Sequence, residues 1–105
     1  MNFITDEEGA FLVKLARRAV AEYFSSKRTI EPPPDTPQRL YEKRGVFVTI
    51  ETYPNRELRG CIGFPEPLYP LVEATIKASL ASAFEDPRFP PLRASELSKV
   101  VFEVS

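Results

Sequence analysis

The stretch that decides the fold is Leu58-Arg59-Gly60-Cys61-Ile62-Gly63, because it predicts a β-strand that carries the only cysteine between two glycines. The predicted strand continues to Phe64 and follows the turn-forming residues 54–57. Residues 45–53, before that turn, are β-branched and aromatic, which is typical of a partner strand. The sequence therefore predicts a β-hairpin in the middle of the chain.

Side chains alternate along a strand, so the predicted strand divides its residues between two faces. Arg59 and Cys61 fall on the same face, about 6.5–7 Å apart along the strand, with Gly63 beside them. A guanidinium at that distance would favour the thiolate form of Cys61, which makes Cys61 and Arg59 candidate catalytic residues. The opposite face is predicted to hold Leu58, Ile62 and Phe64.

Two glycines flank the thiol and leave open backbone that a ligand or another chain segment can approach. Gly60 and Gly63 are therefore candidate ligand-binding residues. A bulge or the close packing of a helix explains the same glycines without a ligand. A lone cysteine is also more often a small buried hydrophobe than a nucleophile, so a structural role for Cys61 stays open.

A second group of polar residues lies at the end of the second predicted helix. Glu85 and Asp86 are acids at a helix C-terminus, where they oppose the helix dipole, and Arg88 follows two residues later. Residues in locally unfavourable positions are pointers to function, so Asp86 is a third candidate catalytic residue, orienting Arg59 or Arg88 beside Cys61. Arg88 is a candidate ligand-binding residue. The alternative is an ordinary turn, which Asp-Pro pairs commonly begin.

Helices are predicted on both sides of the hairpin. Thr5 and Glu8 form a capping box at the start of a helix over residues 6–25, whose apolar residues recur at helical spacing. Between this helix and the hairpin, Thr36 followed by proline is predicted to cap a short helical turn that ends at Tyr41. After the hairpin, Pro65, Pro67 and Pro70 precede a second long helix. The core face of the second helix is predicted to contain Leu71, Val72, Thr75, Ile76, Leu80, Ala83 and Phe84.

The predicted order of elements is helix, hairpin, helix, strand, with a helical turn at residues 95–97 and a third strand over residues 100–105. This order indicates an α+β fold in which helices flank an antiparallel or mixed β-sheet. Residues 1–105 are predicted to form a single domain. A three-stranded sheet leaves edges that a larger domain normally covers, so the domain is predicted to be incomplete at its C-terminal end.

Composition excludes several classes of function. Fourteen basic and fifteen acidic residues remove the basic surplus of a dedicated nucleic-acid binder, so nucleic acid is not an expected partner. One cysteine and no histidine exclude a Cys-His pair within the chain and leave a transition metal without its usual ligands; no cofactor is expected.

Without a signal peptide or an apolar run of about 20 residues, a cytoplasmic location away from membranes is expected. Eleven prolines and few amides are typical of heat-adapted proteins.

The hexapeptide Leu58-Arg59-Gly60-Cys61-Ile62-Gly63 is similar to the motif that marks the AMMECR family. The opening helix and residues 45–49, 70–74 and 86–92 resemble the same family, so the resemblance extends over essentially the whole chain, most closely to prokaryotic members. It implies an α+β module with a smaller subdomain, which runs on for about as long again after the last predicted strand.

The resemblance implies a fold more than a reaction. Prokaryotic relatives are associated with Memo-like and radical S-adenosylmethionine proteins, so an enzyme or an accessory in a modification pathway is one hypothesis. Under this enzyme hypothesis, Cys61 acts as nucleophile or covalent carrier and Arg59 stabilises the thiolate or a substrate anion. Asp86 orients Arg59. The alternative is a module that binds an unknown protein or peptide, in which Cys61 is structural. A basic groove for RNA, formed by Arg56, Arg59 and Arg88, is a third reading.

Overall fold

The computed structural model describes residues 4–105 and contains the elements in the predicted order. Their bounds lie within two residues of those predicted from the sequence. The elements are α1 (Asp6–Ser26), a 3₁₀ helix (Gln38–Tyr41), β1 (Val46–Thr52), β2 (Leu58–Phe64), α2 (Leu71–Phe84), a second 3₁₀ helix (Ala94–Lys99) and β3 (Val100–Val104).

The three strands form one sheet in the order β2-β1-β3, and both pairings are antiparallel. Of the two predicted arrangements, antiparallel and mixed, the sheet is therefore antiparallel, and the α+β class is confirmed. Helix α2 connects β2 to β3 and packs on β1 and β2, while α1 packs on α2 and β3. Within residues 4–105, neither helix is long and apolar enough to cross a lipid bilayer.

The helices cover one face of the sheet. Val46, Val48 and Ile50 point toward them from β1 and are fully buried. Because side chains alternate along a strand, Phe47 and Thr49 point to the other side, where Phe47 is exposed. We call this second side the open face. The division into a helix-covered face and an open face determines where the candidate site lies.

Helix α1 begins as predicted. The Thr5 hydroxyl accepts a hydrogen bond from the Glu8 amide at 3.1 Å, and the Glu8 carboxylate accepts one from the Thr5 amide at 2.8 Å. These two bonds satisfy amides that the first helical turn leaves without partners. The apolar stripe behind the cap is buried and contains Leu12, Leu15, Ala16, Ala19 and Val20.

Helix α2 differs from its predicted pattern because it lies between the sheet and α1. Leu80 and Phe84, predicted for its core face, are only half-buried, whereas Ser79 and Ser82 are fully buried. A helix with neighbours on two sides is buried around most of its circumference, so a one-sided apolar stripe underestimates its buried surface.

The prediction that Thr36 caps the short helical turn is wrong. Its hydroxyl donates to the Pro33 carbonyl at 2.6 Å, and Pro37 takes the N-cap position without a side-chain cap. The extended proline segment before Thr36 brings that carbonyl within reach. The turn itself is present as a 3₁₀ helix and ends at Tyr41 as predicted.

Candidate functional site

Cys61 lies on the open face, in strand β2 at one edge of the sheet. It pairs with Thr49 of β1, and the Cys61 Sγ and Thr49 Oγ1 atoms are 3.3 Å apart, within hydrogen-bonding distance. The Cys61 residue is partly exposed. Cys61 is therefore not among the fully buried residues of the core.

Asp86 binds the backbone of Cys61 from the loop after α2. Its Oδ2 atom accepts a hydrogen bond from the Cys61 amide at 3.0 Å. The carboxylate is buried, at 4% exposure, and its Oδ1 atom accepts a bond from the Arg88 amide at 3.0 Å. The Arg88 guanidinium donates to both carboxylate oxygens, at 2.8 and 3.1 Å. Of the two arginines that the sequence offered to Asp86, the structure pairs it with Arg88, and Arg59 binds Glu96 instead.

This geometry fixes the charge of Asp86. The hydrogen bond from Arg88 is the largest cause that holds the pKa of the Asp86 carboxyl far below its usual range, against the opposing effect of burial. Bonds from the amides of Cys61 and Arg88 act in the same direction. A carboxylate that accepts four hydrogen bonds and resists protonation is a poor general base, so the geometry gives Asp86 a positioning role.

Arg88 completes the arrangement around the Cys61 peptide group. Its Nη2 atom donates to the Cys61 carbonyl at 3.3 Å, while its side chain remains 55% exposed. The hydrogen bond to Asp86 is the largest cause of the raised pKa of the Arg88 guanidinium, against the opposing effect of burial. Arg88 is thus a cation with an accessible surface, held beside the Cys61 peptide group by a buried carboxylate.

Arg59 does not take the position that was predicted for it. Gly60 pairs with Ile50 and Leu58 pairs with Glu51, so the register shifts and Arg59 is the extra residue of a β-bulge. The Arg59 guanidinium binds the Glu96 carboxylate through two hydrogen bonds, of 2.9 and 3.1 Å. Simple alternation, on which the pairing of Arg59 with Cys61 depended, is broken by the bulge.

The same bulge corrects the prediction for Leu58. Leu58 was expected on one face with Ile62 and Phe64, but its partner across the shifted register is Glu51, and its side chain is exposed. Ile62 instead pairs with the buried Val48 and faces the helices. Leu58 thus adds apolar surface to the outside of the sheet and not to the core.

Close packing accounts for both glycines beside the thiol. A Cβ atom on Gly60 would lie 2.2 Å from the Ser82 carbonyl oxygen of α2. A Cβ atom on Gly63 would lie 2.2 Å from the Val46 carbonyl oxygen and 2.6 Å from the Phe47 ring. The space beside both glycines is therefore filled by this chain: by helix α2 at Gly60, as the helix-packing alternative predicted, and by strand β1 at Gly63.

Ser82 was missed by the sequence analysis, although it joins three elements. Its hydroxyl donates to the Val48 carbonyl at 2.7 Å and accepts from the Ile62 amide at 2.9 Å, so it bridges β1 and β2 from within α2. The run of small residues around Ser82 was the available signal, since small side chains let a helix approach a sheet closely.

The arginines proposed for an RNA groove are each paired with acids. Arg56 binds Glu51 at 2.8 Å and Glu103 at 3.3 Å across the open face. The other two arginines bind Glu96 and Asp86 as described above. Because each of these guanidinium groups has its own carboxylate partner, the three do not form the contiguous basic patch of a nucleic-acid interface, and the RNA hypothesis has no support from this geometry.

The larger grooves lie away from Cys61. One of about 750 Å³ lies between the end of α1 and residues 28–34. One of about 470 Å³ runs between α1 and residues 33–35, with Phe11 and Leu15 among its lining residues. Another, of about 220 Å³, contains Arg59 and Arg93 between the loop and the second 3₁₀ helix. No cluster of three or more potential ligand residues for a metal ion occurs in the part of the chain that the structure describes.

Comparison with known proteins gives the family context. The family model AMMECR1 matches residues 13–105. A protein from Thermococcus onnurineus is 61% identical over 108 residues, which cover all of this chain and 53% of the relative. The protein PH0010 from Pyrococcus horikoshii is 60% identical over 105 residues, which cover 97% of this chain and 51% of the relative. Both are thermophilic archaeal proteins, in agreement with the composition.

A solved structure shares the fold. The crystal structure of the uncharacterized protein PH0010 matches with a TM-score of 0.94 at 60% sequence identity, covering 97% of this chain and 52% of that chain. The chain therefore spans about half the length of the curated relatives it matches.

Proposed function

The chain belongs to the AMMECR1 family, and we propose that it carries a thiol-centred site in which Cys61 reacts with, or covalently carries, an anionic substrate held by Arg88. One observation supports the proposal above the others. Cys61 is partly exposed on the open face, and an exposed guanidinium is fixed beside its peptide group by the buried Asp86 carboxylate. We propose that the family domain acts in the cytoplasm as an enzyme or as an accessory to one.

The three residues take different roles in this proposal. Cys61 is the nucleophile, since a thiolate is the reactive form of cysteine. Arg88, and not Arg59, supplies the positive charge, because its Nη2 atom donates to the Cys61 carbonyl at 3.3 Å, whereas Arg59 binds Glu96. Asp86 positions Arg88 and holds the Cys61 amide, so that the thiol and the cation keep a fixed separation.

The partners in the proposal follow from the family resemblance. A small anionic molecule or an acidic group on a protein would fit a cation on an open surface. A modification pathway shared with Memo-like and radical S-adenosylmethionine proteins is the proposed setting. None of the grooves described above within residues 4–105 is lined by Cys61 or Arg88, so we propose that a partner encloses the substrate in part.

Alkylation of the thiol tests the proposal, because Cys61 is the only cysteine and all incorporated label reports one site. Iodoacetamide should label the native protein, and Arg88→Gln should slow labelling by roughly threefold to tenfold at neutral pH. Arg56→Gln is the matched control, since it removes an exposed arginine from the turn between β1 and β2. Labelling that begins only when urea unfolds the chain would reject the reactive-thiol proposal.

A second candidate function comes from the apolar surface around the thiol. Phe47 and Leu58 are large apolar side chains that remain exposed, at 42% and 41%. Exposed apolar groups that cluster on one face are typical of a protein-binding surface. In this alternative the open face binds a partner or peptide, Cys61 packs in the interface, and Arg88→Gln leaves labelling unchanged.

A further inference from the structure

A groove beside α1 takes no part in the proposed thiol chemistry. Its volume is about 470 Å³, within the range of sites that bind small molecules. One wall is the part of α1 from residue 7 to residue 18, and the other belongs to the proline segment, which we define as residues 30–37. Phe11, Leu15 and Pro33 form an apolar lining, in which Leu15 and Pro33 are themselves buried. The groove thus has the size and the apolar surface of a ligand site.

Both walls of this groove are held in place before a ligand binds. Helix α1 has 21 residues and begins with a capping box. In the proline segment, the amide and the hydroxyl of Thr36 both donate to the Pro33 carbonyl, at 3.1 and 2.6 Å. Residues 32–34 are all proline, and each ring fixes its φ angle. A preorganised site loses little conformational entropy on binding, which favours the capture of small ligands.

Four charged side chains surround the apolar lining of the groove. Glu7, Lys14 and Arg18 lie along α1, and Asp35 lies on the proline segment. These four have no hydrogen-bond or ion-pair partner among residues 4–105. Lys14 and Arg18 are four residues apart on one side of the helix, which is unfavourable for like charges. An anion between the two cations would relieve this repulsion.

The charges on α1 are also separated by sign along the helix axis. Glu7 lies in the first turn, and Lys14 and Arg18 follow after nearly whole numbers of turns, so all three project from the same side. At a rise of about 1.5 Å per residue, the midpoint of the two cations lies about 13 Å from Glu7 along the axis. An extended peptide of four residues spans about 13–14 Å. The charge pattern therefore matches a molecule of that length with a cation at one end and an anion at the other.

From these observations we infer that the groove beside α1 binds a short extended peptide with free termini, about four residues long. The ammonium group of the peptide binds Glu7, and its carboxylate lies between Lys14 and Arg18. Apolar side chains between the two termini pack on Phe11 and Leu15. This peptide site lies apart from the thiol, and the inference does not rest on the function proposed for the thiol.

An internal segment of a longer polypeptide fits the groove less well. The wall around Pro33 consists of prolines, which have no N–H group, so it cannot form a β-ladder with a strand laid along it. An internal segment also has uncharged amides in place of its two ends. Its backbone would therefore leave Glu7 and Arg18 without charged partners, whereas free termini satisfy both.

Amide chemical shifts measure the binding. We would titrate the ¹⁵N-labelled chain with the tetrapeptide alanyl-leucyl-leucyl-alanine, and in parallel with the same peptide acetylated at its N-terminus and amidated at its C-terminus. The free peptide should shift the amides of Ala10, Phe11 and Asp35 in a saturable way. Blocking both termini should weaken binding by at least about tenfold, because it removes both charge contacts.

Two variants assign the termini of the peptide. Glu7→Gln should weaken binding of the free tetrapeptide by about threefold to fivefold and have no effect on a peptide acetylated at its N-terminus alone. Arg18→Gln should weaken binding by a similar factor and have no effect on a peptide amidated at its C-terminus alone. Arg28→Gln is the matched control, because Arg28 lines the neighbouring groove of about 750 Å³ and not this one, and it should leave the affinity unchanged.

Each result decides the inference. Saturable shifts in the groove that are weakened by blocking the termini, with the two variant effects cancelled as stated, support it. An absence of saturable shifts at millimolar peptide, or equal binding of the blocked peptide, overturns it. Shifts confined to residues 28–30, with weaker binding to Arg28→Gln, would place the peptide in the neighbouring groove and also overturn it. Alkylation of Cys61 is measured separately, so failure of this inference and failure of the thiol proposal are distinguishable.

Discussion

The two outer edges of the sheet end in different ways. At β2, the Cys61 amide binds the Asp86 carboxylate and the Cys61 carbonyl binds the Arg88 guanidinium, so two side chains take the place of a neighbouring strand. At β3, bonded pairs alternate along the ladder with β1, so the peptide groups of Phe102 and Val104 point outward and have no such partners among residues 4–105. The edge that carries the candidate site is thus completed within this chain, whereas the edge away from it has no equivalent closure among the described residues.

The difference gives the candidate site a structural function beside the chemical one that we propose for it. Asp86 and Arg88 close an edge, and for that purpose alone a buried carboxylate and an arginine are sufficient. Their chemical role depends on the thiol that the same contacts hold. The predictions that follow separate these contributions, because each changes one contact on one edge and leaves the other edge intact.

The largest effect is expected at Gly60, where α2 approaches β2 most closely. Gly60→Ala would place a methyl group 2.2 Å from the Ser82 carbonyl oxygen, and a backbone atom cannot rotate away. We expect a loss of about 3 kcal/mol in the free energy of unfolding, measured by urea denaturation. Gly9→Ala is the control, because its new Cβ has 3.9 Å to Ile4 Cδ1. That helical substitution should stabilise the protein by about 0.5–1 kcal/mol.

A smaller effect is expected from Asp86→Asn, which keeps the shape of the side chain but replaces one acceptor oxygen by a donor. At neutral pH the variant should lose about 2–3 kcal/mol, because the Cys61 amide and Arg88 are left without a charged acceptor. Glu85→Gln is the matched control: Glu85 is exposed at the end of α2, so its loss should leave stability unchanged or slightly raised.

The effect of Asp86→Asn should depend on pH. The pKa of Asp86 in the folded chain lies below that of the unfolded chain, about 3.9, so the unfolded state binds more protons in acid. The stabilisation by Asp86 is therefore complete above about pH 5 and is lost as pH falls toward the folded pKa. The difference in unfolding free energy between wild type and variant should shrink over that acid range. A difference that is constant from pH 7 to pH 3 would show that the carboxylate charge is not the cause.

Ser82→Ala should cost less, about 1 kcal/mol, because it removes one hydroxyl that bonds the Val48 carbonyl and the Ile62 amide. The two backbone groups belong to paired residues and can bond each other after the hydroxyl is lost. Urea denaturation measures the change, and exchange of the Ile62 amide shows whether the direct bond forms. A loss as large as that of Gly60→Ala would mean that the strands do not close over the missing hydroxyl.

The sequence predicted the fold well because the deciding signals are local. The capping box of Thr5 and Glu8, the β-branched run of β1 and the prolines before α2 each act within a few residues. Arg59 was misplaced because a bulge adds one residue to β2 and breaks the alternation that a strand pattern assumes. The bulge depends on how β2 fits against β1, which a sequence pattern does not contain.

The candidate site was predictable in part for the same reason. Asp86 was identified because an acid is unfavourable at a helix end, and that local conflict marked the residue that holds the Cys61 amide. Its pairing with Arg88 is also local, two residues apart. Ser82 gave no such local signal, since its partners lie 34 and 20 residues away in sequence and are brought together only by the packing of α2 on the sheet.

The smallest effect is expected at the open edge, and it tests the comparison most directly. Val104→Pro removes an N–H that points away from β1, so the free energy of unfolding should stay within about 0.5 kcal/mol of that of Val104→Ala. Both variants lose the valine side chain, and the comparison isolates the N–H group. Urea denaturation of the isolated chain gives the value. A much larger loss in the proline variant would mean that the Val104 amide is bonded within the chain, and the two edges would then not differ in the way described.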